Sequence, residues 1–168
     1  VDLSSIKVSR PEFETLDKEG INWLIAEKMR RRMVVIGACI ETDAHTVGID
    51  AILNYKGFAG DKGLESYKCF EAYNLGAQVE NEQLLARALA VNADAILISQ
   101  IITQRNSHKE NAAAFIELLN QQGLRDRFVC LLGGPRIDHK LALELGFDAG
   151  FGTGTKPGDV ASYLVERL

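Results

Sequence analysis

The sequence predicts an α/β domain: an open, doubly wound parallel sheet of five strands with helices on both faces. Two observations carry this. Short apolar segments alternate along the chain with segments of helical periodicity. The run from Ala93 to Ser99 reads as a strand buried on both faces, the hallmark of a parallel sheet. The size fits, since 168 residues suffice for one well-packed domain, and 46% hydrophobic and 25% charged residues are ordinary for a globular protein.

Residues 1–17 read as irregular, with Pro11 breaking any early helix. A helix is expected from about Lys18 to Arg32, with Ile21, Trp23, Leu24, Ile25 and Met29 near one face. Met33 to Ile40 is the first strand. A helix from about Val47 to Tyr55 ends at Gly57, and a glycine-rich stretch to Gly63 follows. A short helix is expected at Leu64, and a short strand from Phe70 to Leu75. Asn81 to Val91 is amphipathic, with Leu84, Leu85, Ala88 and Leu89 inward. After the strand ending at Ser99, a helix spans Lys109 to Gln122. Phe128 to Leu132 is the fourth strand, ending in Gly133-Gly134-Pro135. Asp138 caps a helix to Leu145, Asp148 to Phe151 is the fifth strand, and Thr155 and Pro157 open the last helix.

Composition excludes several classes of function. A net charge of −4 argues against nucleic-acid binding, which needs a basic surface. Arg30-Arg31-Arg32 falls at a predicted helix end, where it complements the helix dipole. No apolar run approaches bilayer length and no signal-peptide pattern is present, so no membrane partner is expected. Cys39, Cys69 and Cys130 are odd in number and widely spaced; they read as reduced residues of a cytoplasmic protein. His108 and His139 read as surface residues at or before helices.

Ligands of such sheets bind beyond the carboxyl ends of the strands. Four features fall there: Asp43-Ala44-His45-Thr46-Val47-Gly48 after the first strand, Ser99 at the end of the third, Gly133-Gly134 after the fourth, and Gly152-Thr153-Gly154 after the fifth. His45 offers a ring nitrogen to a metal, and Asp43 can hold the proton on the other nitrogen. Gly48 removes bulk where something broad and flat must approach the backbone. Taken singly, these residues also read as a loop histidine bonded to an aspartate, a strand-end serine and ordinary turns.

Asp-x-His-x-x-Gly, then Ser-x-Ile at Ser99-Gln100-Ile101, then Gly133-Gly134, resembles the cobalamin-binding module of methionine synthase and the base-off mutases, over about residues 33 to 168. That resemblance implies a flavodoxin-like (Rossmann-like) fold with His45 ligating cobalt from below. Asp43, Thr46, Gly48, Ser99, Ile101, Gly133, Gly134, Gly152 and Gly154 would surround the cofactor and its displaced nucleotide tail. Ile101 stands where leucine is usual. Residues 1–32 form an N-terminal extension and helix outside the match.

The stretch between Gly48 and Ser99 is longer than in methionine synthase. It contains Tyr55-Lys56-Gly57-Phe58-Ala59-Gly60, which resembles the small subunit of lysine 5,6-aminomutase and the matching domain of ornithine 4,5-aminomutase. That resemblance makes Lys56, eleven residues after His45, the lysine that forms an aldimine with pyridoxal phosphate. By itself Lys56 also reads as a surface cation at a helix end. The implied cofactors are adenosylcobalamin, the vitamin B12 coenzyme, and pyridoxal phosphate. The implied reaction is radical migration of the terminal amino group of lysine or ornithine to the adjacent carbon. A helical segment would put Lys56 roughly 15 Å from His45 along its axis. Substrate would then be held by a partner, in the family a large barrel subunit or domain; the family also allows a dimer. The alternatives are a corrinoid carrier for methyl transfer without pyridoxal phosphate, and a regulatory domain without a cofactor.

Overall fold

The computed structural model describes residues 9–100 and 107–168. The chain runs α1 (Lys18–Met29), β1 (Met33–Cys39), α2 (Val47–Leu53), β2 (Phe70–Asn74), α3 (Asn81–Ala90), β3 (Ala95–Ser99), α4 (Ser107–Gln121), β4 (Val129–Gly133), α5 (His139–Glu144), β5 (Ala149–Phe151) and α6 (Pro157–Glu166). The strands form one parallel sheet in the order β2-β1-β3-β4-β5. The chain leaves β1 toward β2 on one side and re-enters at β3 on the other. The strand order thus reverses between β1 and β3, the point at which such sheets hold ligands beyond the carboxyl ends of their strands.

The pleat of β1 shows how the sequence builds both layers. Val34, Ile36, Ala38 and Ile40 enter one apolar cluster with Leu84, Ala112, Phe115 and Ala142, from α3, α4 and α5. Met33, Val35 and Cys39 enter the other, with Ile21, Ile25, Ile49, Leu53, Val160 and Leu164 from α1, α2 and α6. Gly37 points toward the second layer. A Cβ there would lie 2.6 Å from Leu53 Cδ1 and 2.8 Å from Ile49 Cδ1, so the glycine is what lets α2 settle directly on the sheet.

Local chemistry sets the helix ends. Asp17 accepts from the Gly20 N–H to start α1, and Arg30, left-handed at φ 56°, stops it three residues before the expected end. Arg30-Arg31-Arg32 does not simply face the helix dipole. Arg31 grips Asp94 through both nitrogens at 2.8 and 2.6 Å, and Arg32 donates to the Phe70 carbonyl at 2.6 Å. The cluster ties α1 to the amino edge of the sheet.

Ahead of α1, Phe13 packs against Phe151 and Tyr163, and the Leu16 N–H donates to Ser162 Oγ. No helix among the described residues is long and apolar enough to cross a membrane.

Candidate functional site at the carboxyl edge of the sheet

The loop after β1 is woven into the loop after β2. The Glu41 N–H donates to the Val79 carbonyl, Val79 N–H to Cys39, and Gln78 N–H to Asp43. Glu41 and Gln78 both adopt left-handed backbone, at φ 55° and 56°, a cost that tertiary bonds must offset. Inside this weave Asp43 is 1% exposed. Its Oδ1 accepts from the His45 backbone N–H at 2.9 Å and lies 2.8 Å from His45 Nδ1. A carboxylate holding the Nδ1 proton leaves the lone pair on Nε2. The His45 side chain is 65% exposed, so a fixed imidazole is presented to a ligand from outside.

Below it, the Cys39 thiol donates to the His45 carbonyl at 3.2 Å. Burial, with the Asp43 charge adding to it and the Ser99 hydrogen bond opposing, pushes this thiol up to about 11. Burial also pushes Cys130 up to about 12. Because the folded value of Cys39 lies above its ordinary value of 9.0, its protonated form contributes stability in full below about pH 9 and loses it as pH rises through 11. At pH 8 iodoacetamide is expected to label Cys69, which is only half-buried, and to spare Cys39 and Cys130 until the protein is unfolded. Peptide mapping of the native protein checks this.

Strand register brings the remaining candidates into a row. Cys39 pairs with Ser99, Ser99 with Gly133, and Gly133 with Phe151, the residue before Gly152. Thr46 precedes α2 without a side-chain capping bond. A Cβ on Gly48 would sit 3.6 Å from Ser99 Oγ, so the glycine keeps the space above the serine clear. At Gly134 the β3 and β4 backbones nearly touch: a Cβ would lie 2.0 Å from the Gln100 carbonyl oxygen. Gln100 is fully buried, and its Oε1 has no hydrogen-bond partner among the described residues. Gly154, at φ 87°, has open space where a side chain would go. Beside this row lies a cavity of about 640 Å³, walled by Arg10, Phe13, Ile137, Gly152 and Thr155. Nothing in the sequence pattern marked Arg10 or Phe13, which reach it only because the N-terminal segment folds back over β5.

Ile101 lies outside the described residues, as does the His108 side chain. His139 is not a free surface residue. It is half-buried, and its Nδ1 accepts from the Gly150 N–H at 3.2 Å. Lys56 is exposed but not on α2, because the helix stops at Leu53 and Lys56 occupies the turn beyond. Seven helical residues carry the chain about 10 Å, less than one continuous helix would.

Residues 33–161 match the B12 binding domain family. The chain belongs to that family. The donor set of this B12-binding domain fits the cofactor: the exposed His45 ring is held by buried Asp43 at 2.8 Å and offers its other nitrogen. One oriented imidazole suits a metal whose other ligands come with its own ring. The chain is 51% identical, over all 168 residues, to the lysine 5,6-aminomutase beta subunit of Acetoanaerobium sticklandii, of which it covers 64%. It is 32% identical over 167 residues to the D-ornithine 4,5-aminomutase subunit beta of the same organism, covering 99% of this chain and 21% of that one. The chain thus spans a little under two thirds of the first relative's length. In fold it resembles a cobalamin-binding protein from Desulfitobacterium hafniense DCB-2, with a TM-score of 0.62 at 17% identity, covering 90% of this chain and 68% of that one.

Proposed function

We propose that this domain is the cobalamin-binding part of a radical aminomutase that moves the terminal amino group of lysine, or of ornithine, to the adjacent carbon. One observation carries the reading: a single short helix has an imidazole held by Asp43, His45, before it and an exposed lysine, Lys56, after it. The full-length identity to a lysine 5,6-aminomutase subunit supports it and favours lysine over ornithine.

Adenosylcobalamin would supply a carbon radical and pyridoxal phosphate the carbonyl that carries the migrating amine. The chain's residues then have separate tasks. His45 would hold cobalt through Nε2, with Asp43, 2.8 Å from Nδ1, fixing the ring orientation. Ser99, Gly133 and Gly134, together with Ile101, would hold the nucleotide tail of the cofactor, with Gly152 and Gly154 beside them. Thr46 and Gly48 would line the approach to His45. Lys56, exposed on the turn after α2, would be the residue that holds pyridoxal phosphate.

With His45 and Lys56 both given to holding cofactors, substrate would be held by a partner, such as a large barrel subunit or domain. In this reading residues 33–168 are the cofactor unit, residues 1–32 an N-terminal extension and helix, and the enzyme acts in the cytoplasm, which three free cysteines support.

In the assembled enzyme, borohydride should fix a pyridoxyl group on Lys56. The Lys56→Ala variant should lack it and should cleave the cobalt–carbon bond faster than wild type when substrate is absent. An unlabelled wild-type Lys56 would favour a plain methyl carrier. Unchanged cleavage in the variant would remove the restraining role.

A further inference from the structure

We propose that Asn74, at the end of β2, is the positioning residue that sets where Lys56 is presented; this rests on the reading of Lys56 given above. The segment from residue 54 to 63 is a closed hairpin. Phe58 and Asp61 exchange backbone hydrogen bonds at 3.1 and 3.0 Å across Ala59 and Gly60, at φ 53° and 86°. Glycines seal its base. Gly57, at φ 63°, lies where a Cβ would be 1.9 Å from the Asp61 carbonyl oxygen, and a Cβ on Gly63 would be 2.0 Å from that of Asn54. The Gly57 N–H also donates to the Asn54 carbonyl at 3.0 Å. A loop so tightly closed moves as one body, and Lys56 moves with it.

The orientation of that body is decided at its base. The Asn74 side-chain amide donates to Asn54 Oδ1 at 2.9 Å and to Asp50 Oδ1 at 2.7 Å, while its own oxygen accepts from the Gly76 N–H at 2.9 Å. Asp50 and Asn54 are four residues apart, successive on one side of α2. One side chain thus clamps the last turn of the helix and the first residue of the hairpin to the sheet. His45 is fixed separately, through Asp43 and Gln78. Loss of the clamp should therefore misplace Lys56 and leave the cobalt ligand alone.

Asn74→Asp keeps the shape and the acceptor for Gly76 but sets a second carboxylate against Asp50. Adding Asp50→Asn returns a donor to the pair and should restore the clamp. In the complete enzyme with its partner, pyridoxal phosphate and cob(II)alamin, the yield of borohydride-fixed pyridoxyl on Lys56 is measured alongside the histidine nitrogen splitting in the electron paramagnetic spectrum. The expected result for Asn74→Asp is a fall in pyridoxyl yield of about tenfold, typical of losing a hydrogen bond to a charged group, with the splitting intact. Yield should recover in the double variant. An unchanged yield in Asn74→Asp overturns the proposal, as does a joint loss of yield and splitting, which would mean a general structural role. Absence of the adduct in wild type overturns the Lys56 reading itself and this inference with it.

Discussion

Replacing His45 with alanine is expected to abolish the nitrogen splitting in the electron paramagnetic spectrum of cob(II)alamin bound to this domain. The splitting requires a nitrogen directly on cobalt, and His45 is an exposed imidazole at the carboxyl edge with its Nδ1 already engaged, 2.8 Å from Asp43. Label on histidine should alter the wild-type spectrum, and the variant should show none of it. Asp43→Ala is the informative companion. The ligand remains, but nothing holds its tautomer or its loop, since the same carboxylate oxygen also accepts from the His45 backbone. Loss of such a supporting carboxylate costs roughly 10–100-fold in metal affinity. A nitrogen signal that survives His45→Ala would end the lower-ligand assignment.

The second large effect is expected at adjacent glycines that should behave in opposite ways. In Gly134→Ala the new methyl would meet the Gln100 carbonyl oxygen at 2.0 Å, and that oxygen belongs to backbone that cannot swing aside. The Gln100 N–H is bonded to the Gly133 carbonyl, and the Gly134 N–H to that of Phe151, so the clash pushes on three strand ends together. Overpacking of this kind costs about 3 kcal/mol at its upper range. For a chain of this length that is a fall in Tm of roughly 6–12 °C. In Gly133→Ala the methyl meets the Phe151 carbonyl at 3.7 Å, an ordinary contact, and Tm should hardly change. Cobalamin binding should still weaken, because the methyl enters the row between Ser99 and the loop after β5. Calorimetry and cobalamin titration of both variants check this. Equal stability of the two would show that the strands have slack where the structure shows none.

The Asp43–His45 pair, Ser99 and the two glycines were legible in the sequence because each stands at the end of a strand that its own apolar residues announce. Spacing along the chain is enough when the sheet is parallel, since every strand ends on the same edge. The end of α2 was not legible. Ala51 to Tyr55 contains nothing that forbids a helix, yet Asn54 turns extended, at ψ 145°, where the amide of Asn74 takes its side chain. That bond spans twenty residues and leaves no local pattern. His139 misled for the same reason: its partner, Gly150, arrives from the neighbouring strand.

The sequence by itself determined the layered α/β fold, the edge of the sheet that carries His45, Ser99 and the glycines, and the chemical type of the groups there. Hydrophobic alternation and strand-end glycines are local, and local patterns survive in one dimension. Tertiary structure alone decided how deeply Asp43 is buried beside His45, how closely α2 lies on Gly37 and where the turn bearing Lys56 stands. Those are settled by buried carboxylates, backbone close approaches and side-chain amides reaching between elements, whose energies depend on distances that exist only after the chain has folded.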